Sequence, residues 1–236
     1  MECGEFSKRN EEYYKQFSKE LYFCKLLNIN NMSGEGKIIF DVGAHSGESA
    51  IFFNQMFPKA KQYSFEPIPE MAEKIRQLDL DNHLLEQCAL SDFDGVEDFY
   101  IQDITHLSSL HKINKESKQS LGYHRKEQHK VVKVNVLRGD TFIKENQISK
   151  IDLLKIDVQA NEIKTLKGFS KSINLINAVL VEVSFYDFYE NKSSIKLIEE
   201  QLPGFEIYDI YEVSKNPKTL GTDWASIIYK NLHYKF

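Results

Sequence analysis

Cysteine is scarce in this chain of 236 residues, with only Cys3, Cys24 and Cys88. They are odd in number, scattered and outside any Cys-x-x-Cys pattern. That argues against a disulfide framework or a thiolate zinc site and suits a reducing, cytoplasmic setting. An excess of positive charge is also missing. Thirty Lys and Arg against 35 Asp and Glu leave a formal net charge of −5. Nucleic acid is therefore not expected as the main partner, because phosphate neutralisation needs a basic surface. No run approaches the roughly 18 apolar residues that a membrane helix needs. The N-terminus is charged rather than apolar, so neither a membrane span nor a signal peptide is expected. No internal repeat is visible.

What is present suffices for one substantial core. Hydrophobic residues make up 42% of the chain and aromatic residues 12%, and an α/β domain of this length needs no division. Apolar runs alternate with helical spacings. Strands are predicted at 37–43, 61–66, 84–90, 96–102, 131–137, 151–157 and 178–183, and a terminal hairpin at 205–213 and 224–230. Helices are predicted at 47–57, after Pro67, near 140–146, from 158 to Gly168 and at 193–202. Strands alternating with helices imply a doubly wound, mostly parallel sheet. Residues 34–236 read as one domain. Residues 1–33 stand apart, with Tyr14, Phe17, Leu21, Cys24 and Leu27 on one helical stripe. That stripe either packs on the domain edge or serves as a substrate cap or dimer contact.

The most informative stretch is Asp41-Val42-Gly43-Ala44-His45-Ser46-Gly47, a strand end, a tight turn and a helix start. Glycines adopt positive φ and permit close approach to a ligand. The helix start offers free N–H groups, with Ser46 as its expected N-cap. About twenty residues on, the second strand ends in Glu66-Pro67, where an acid can bind both hydroxyls of a ribose. The spacing is Gly-x-x-x-Gly rather than the Gly-x-Gly-x-x-Gly of dinucleotide sites. A ligand with an adenosyl ribose and no pyrophosphate fits, and S-adenosylmethionine is one.

Ligands of open parallel sheets bind beyond the carboxyl ends of the strands, so Asp41, Glu66 and Asp157 should converge. Alternation places Lys155 and Asp157 on one face of their strand. Glu182 is embedded in Val179-Leu180-Val181-Glu182-Val183, where a charge is costly unless paired or coordinating. Asp157, Lys155 and Glu182 either touch the reacting groups or form a salt-bridge network that orders the strand ends. Methyl transfer to a hydroxyl needs in-line attack and a base or cation near the acceptor oxygen, and perturbed ionisable groups gather at such sites. In a second reading Asp157 and Glu182 bind Mg²⁺, which acidifies the acceptor. In a third the chain is a silent binding module that keeps the fold as a scaffold. Retention of both glycines, Glu66 and Asp157 opposes that.

Residues 103–130 are polar and aperiodic, which predicts a loop or lid. His106, His111, His124 and His129 lack metal-ligand spacing. Lys112, Lys115, Lys118, Arg125, Lys126 and Lys130 either attract an anionic substrate or form a solvated face.

Asp41-Val42-Gly43-Ala44, Phe65-Glu66-Pro67, Ala89-Leu90-Ser91, Leu154-Lys155-Ile156-Asp157-Val158-Gln159 with Glu162 and Leu166-Lys167-Gly168, and Val181-Glu182-Val183 together resemble the FkbM family of S-adenosylmethionine-dependent methyltransferases. The resemblance spans residues 37 to 230. It implies a Rossmann-like seven-strand fold and O-methylation of a glycan sugar or a small-molecule hydroxyl. It further implies that Asp41, Gly43 and Gly47, with Ala44 and His45 between them, hold the methionine part. Glu66 with Pro67 would hold the ribose and Ala89-Leu90 the adenine, and Asp157 would lie beside the transferred methyl. Two positions depart from the family pattern. His45 stands where Asn is usual, which bears on how the cofactor carboxylate is held. Ala160-Asn161 replaces Gly-Ala before Glu162 and is expected only to stiffen a helix start. The acceptor, the oligomeric state and a possible homo-oligomer contact are not written in these motifs.

Overall fold

The structure, a computed structural model, describes residues 22–27, 33–114, 129–191, 193–216 and 219–234. In chain order the strands are β1 (Ile38–Val42), β2 (Lys61–Phe65), β3 (His83–Glu86), β4 (Ala89–Leu90), β5 (Gly95–Gln102), β6 (His129–Leu137), β7 (Ile151–Ile156), β8 (Ile176–Ser184), β9 (Phe205–Lys215) and β10 (Thr222–Asn231). The helices are α1 (Glu48–Met56), α2 (Pro69–Arg76), α3 (Gly139–Glu145), α4 (Glu162–Gly168) and α5 (Ile195–Glu199).

The main sheet has seven strands in the order β3-β2-β1-β7-β8-β10-β9. Its first five strands are parallel, and β10 runs antiparallel to both β8 and β9. This is the expected α/β, Rossmann-like architecture with its C-terminal hairpin. The central strands are apolar on both faces, as a parallel sheet covered on two sides requires. Alternation divides them between two cores. Phe40, Val42, Leu154, Ile156, Val179 and Val181 pack with Phe142 and Phe169 on one face. Ile39, Leu153, Ala178 and Leu180 pack with Phe23, Leu26, Leu27, Phe53 and Phe57 on the other.

Of the N-terminal stripe, Tyr14, Phe17 and Leu21 lie outside the described residues. Cys24 and Leu27 lie in a helical turn at 22–27 that is buried in the second core.

Two local expectations are corrected. The strand expected over 84–90 is two strands. β3 ends when Glu86 O accepts both Glu66 N and, two residues on, Cys88 N. The chain then leaves the main sheet, and β4 joins a separate three-stranded sheet, β4-β6-β5. Ser46 does not cap α1. The N-cap is Gly47 at φ 94°, with no side-chain cap bond, and Ser46 Oγ instead donates to Glu48 Oε1 at 2.6 Å. Part of the expected loop at 103–130 is built: a 3₁₀ turn at Thr105–Leu107, with Ser109 paired to Tyr100 and Ile113 to Tyr189. The remainder, 115–128, lies outside the described residues. Among the described residues no helix is long and apolar enough to cross a membrane.

Candidate active site

The turn after β1 is shaped by contact with β7. Gly43 has φ 79°, and a Cβ there would stand 1.8 Å from Asp157 O. Asp157 N in turn donates to Val42 O at 3.0 Å. A side chain at 43 would push the two strand ends apart. Gly43 therefore serves close approach of the chain to itself, not only to a ligand.

Beyond these strand ends lies a cavity of about 320 Å³, lined by Gly43, His45, Glu66, Pro67, Ala89, Leu90, Asp157 and Glu182 among the expected residues. That volume is at the lower end of the roughly 300–1,000 Å³ of small-molecule sites. Asp41, Ala44, Gly47 and Lys155 do not border it. Asp41 is buried, and its Oδ1 accepts from Lys155 Nζ at 3.0 Å, whereas its Oδ2 meets no donor among the described residues. Lys155 instead borders a neighbouring recess that also touches Asp157 and Glu182. Burial alone would lower the Lys155 pKa. The carboxylates of Asp41, Asp157 and Glu182 outweigh that and hold it above the ordinary value.

Glu66 is 4% exposed. Its two oxygens accept the backbone N–H groups of His45 (2.9 Å) and Ile68 (2.8 Å). A carboxylate has about four lone-pair positions, so acceptor capacity remains for two hydroxyl donors. Burial, reinforced by the charge of Asp41 and opposed by those two N–H groups and Lys155, pushes its carboxyl up to about 7. A buried acid with spare lone pairs on the cavity wall suits an adenosyl ribose. Ala89 and Leu90 offer the apolar surface an adenine needs.

Gln159 joins the two acids at the other end of the cavity. Its side-chain N–H₂ donates to Asp157 Oδ1 at 2.8 Å and to Glu182 Oε1 at 3.2 Å. Its amide oxygen lies 2.9 Å from the Tyr189 hydroxyl. Gln159 (φ 52°) and Ala160 (φ 77°) both adopt left-handed backbone, an unfavourable conformation that the surroundings must hold in place. The Ala160-Asn161 departure is thus more than stiffening. Ala160 occupies a conformation suited to glycine, α4 begins only at Glu162, and Asn161 Nδ2 donates to Leu90 O at 3.0 Å. That bond ties the β7 end to the β4 edge of the cavity. Burial and the nearby charge of Asp157 hold the Glu182 carboxyl well above its ordinary range. Burial does the same to Glu162, up to about 7, although the Ser193 hydroxyl and Ala160 N–H donate to it.

The 3₁₀ turn supplies residues that periodicity did not reveal. Thr105, His106, Leu107 and Ser108 line the cavity. His45 stacks on His106 with ring centroids 3.9 Å apart, and its Nε2 lies 2.9 Å from Thr105 Oγ1. Burial, and then His106, lower the His45 pKa. Trp224, the first residue of the expected hairpin strand 224–230, also borders the cavity. Among the described residues no three His, Cys, Asp or Glu side chains group as a metal site. Asp157 and Glu182 share a hydrogen-bond donor instead.

Comparison with known proteins shows the family. Residues 41–214 match the model of the methyltransferase FkbM domain. The 2-O-methyltransferase NoeI of Sinorhizobium fredii is 28% identical over 72% of this chain and 72% of its own length. The hexuronic acid methyltransferase AglP of Haloferax volcanii is 23% identical over 73% of this chain and 66% of its own. The 31-O-demethyl-FK506 methyltransferase FkbM of Streptomyces tacrolimicus is 29% identical over 56% of this chain and 59% of its own. The matched segment begins at Asp41 and includes Glu66, Asp157, Gln159 and Glu182, and the chain belongs to the FkbM family of S-adenosylmethionine-dependent methyltransferases.

Proposed function

We propose that the chain O-methylates a hydroxyl of a glycan sugar or small molecule, with Asp157 and Glu182 at the reacting centre. The observation that carries this reading is the Gln159 side-chain amide, which joins the two carboxylates where the cofactor cavity meets a second recess. S-adenosylmethionine would supply a methyl group on a sulfonium centre, with the neutral thioether S-adenosylhomocysteine as the leaving group. Glu66 binds its ribose hydroxyls, Ala89 and Leu90 flank the adenine, and the Gly43–His45 turn meets the methionine part. Ala44 sets that turn's path, and Gly47 gives it over to α1.

At the reacting end Gln159 fixes Asp157 and Glu182 in one orientation and keeps its own amide oxygen toward Tyr189. In-line attack by the acceptor oxygen would form the carbon–oxygen bond as the carbon–sulfur bond breaks. The hydroxyl proton passes to Glu182, whose raised pKa brings it toward the working pH of a general base. Lys155 acts behind them, balancing three carboxylates through its pair with Asp41. The relatives' printed names support oxygen as the target, since two of the three specify it.

The test is transfer of labelled methyl from S-adenosylmethionine to a panel of sugars, glycan fragments and small alcohols. The reading expects label in a base-stable methyl ether. Label recovered only on nitrogen or as a base-labile ester would overturn it.

A further inference from the structure

A recess of about 280 Å³ adjoins the cofactor cavity and shares Leu107, Gln159, Glu182 and Trp224 with it. Its floor is a row across three strands, because Trp224 on β10 pairs with Ser184 on β8 and with Ser214 on β9. Glu182, two residues before Ser184, shares that face of β8. The wall comes from the segment after β8. There the Tyr186 hydroxyl accepts from Asn216 Nδ2 at 3.1 Å, and the Tyr189 hydroxyl lies 3.0 Å from Leu107 O. Both rings are therefore oriented before any ligand arrives.

Asp223 completes the recess from an irregular position. The β9–β10 register shifts between Thr222 and Trp224, and Asp223 is the extra residue of that bulge, a device that re-aims side chains beside active sites. It is 8% exposed, yet its Oδ1 has no hydrogen-bond partner among the described residues. Burial holds its carboxyl above the ordinary range. A buried acceptor without a donor costs free energy, which a ligand's hydroxyl would recover.

We infer that this recess is the acceptor subsite, that it takes a single uncharged polyhydroxylated ring, and that Asp223 is a specificity-determining residue which rejects carboxylate-bearing rings. The inference rests on the O-methylation reading and adds the acceptor class to it. The recess combines aromatic faces for C–H surfaces, two serine hydroxyls, and two carboxylates that accept from ligand hydroxyls. None of the described residues that line it is cationic, so on this wall a ligand carboxylate would meet Glu182 and Asp223, with Lys155 lying outside the recess. That differs from what the name of the Haloferax volcanii hexuronic acid methyltransferase implies for that protein. The volume, just below the roughly 300–1,000 Å³ of small-molecule sites, suits the seating of one ring.

Trp224 is the single tryptophan of the chain, so its emission reports on this recess directly. The experiment saturates the full chain with S-adenosylhomocysteine and titrates it with neutral hexosides and their matched uronates, following Trp224 emission. Labelled methyl transfer is run on the same compounds. We expect a saturable emission change with a neutral ring, at least tenfold weaker binding of its uronate, and a loss of affinity of about tenfold or more in Asp223→Asn, with wild-type melting behaviour as the folding control. Uronates binding as tightly as neutral rings, or no emission change with any ring, would overturn the subsite. So would neutral-ring binding unaltered in Asp223→Asn. Methyl-ether formation on a neutral sugar without a Trp224 response would overturn the subsite alone. A Trp224 response with label only on nitrogen or as an ester would overturn the O-methylation reading and leave the binding site standing.

Discussion

Lys155 and Asp41 occupy facing positions on β7 and β1, and their side chains close an ion pair of 3.0 Å. Their side chains are 17% and 4% exposed, and the pair lies behind the cofactor cavity rather than on its wall. Removing one partner of a buried pair leaves an uncompensated charge and costs about 3–5 kcal/mol. Lys155→Met should lose stability of that order in chemical denaturation, and adding Asp41→Asn should restore part of it. A Lys155→Met protein as stable as wild type but without turnover would move Lys155 to the chemistry itself.

Cofactor affinity should depend on pH through Glu66. In the free protein its carboxyl sits near 7. Ribose hydroxyls donate to the ionised form, so bound cofactor lowers that pKa. Affinity should be constant above about pH 7 and weaken as pH falls, by up to about tenfold per unit until the bound pKa is reached. Calorimetry across this range checks it. Glu66→Gln should flatten the profile and weaken binding by about 1.5–3 kcal/mol. The same raised pKa has an opposite consequence for folding. The unfolded carboxyl ionises near 4.5 and the folded one near 7, so the free protein loses stability as pH rises between these values.

Turnover should carry a separate pH limb from Glu182. Its pKa is raised, so the ionised base accumulates only above the usual carboxylate range. The rate at saturating cofactor should rise with pH and then level off. Glu182→Gln should remove that limb and lower turnover by about 10²–10⁴-fold. A limb that persists in Glu182→Gln belongs to another group.

Gly43→Ala should damage the site from behind. The new methyl would meet Asp157 O at 1.8 Å, on backbone at φ 79°, and that conformation alone costs of order 1–3 kcal/mol in a non-glycine residue. We expect a lower melting temperature and weaker cofactor binding together. Wild-type values for both would mean that the turn can relax without moving β7.

Much of this was legible in the residues. Apolar runs within 37–43, 151–157 and 178–183 read as central strands, and acids at their ends were expected to meet beyond the sheet. The break at Gln87-Cys88 was not legible, because Leu84 to Leu90 stays apolar enough for one strand and only the hydrogen bonds to Glu86 O divide it. Thr105 to Ser108 carry no periodic signal, and their place over the cavity depends on long-range packing against His45. Gln159 was quoted in a motif but given no task, since its bridging amide requires two left-handed residues that no spacing reveals. Asp223 reads as a turn residue until the bulge beside Trp224 is known. The cysteines, the charge balance and the glycine spacing settled broad class, whereas the acceptor recess emerged only from strands paired across long sequence distance.

The central claim is that the Asp157–Gln159–Glu182 cluster performs methyl transfer rather than holding strand ends. Asp157→Asn keeps the shape and removes the charge. The decisive measurement is its rate of labelled methyl transfer to an identified acceptor at saturating S-adenosylmethionine, beside its melting temperature. The account predicts a fall of about 10²–10⁴-fold in rate with a melting temperature close to wild type. A near wild-type rate, or a loss of rate fully explained by unfolding, would contradict it and leave the cluster structural.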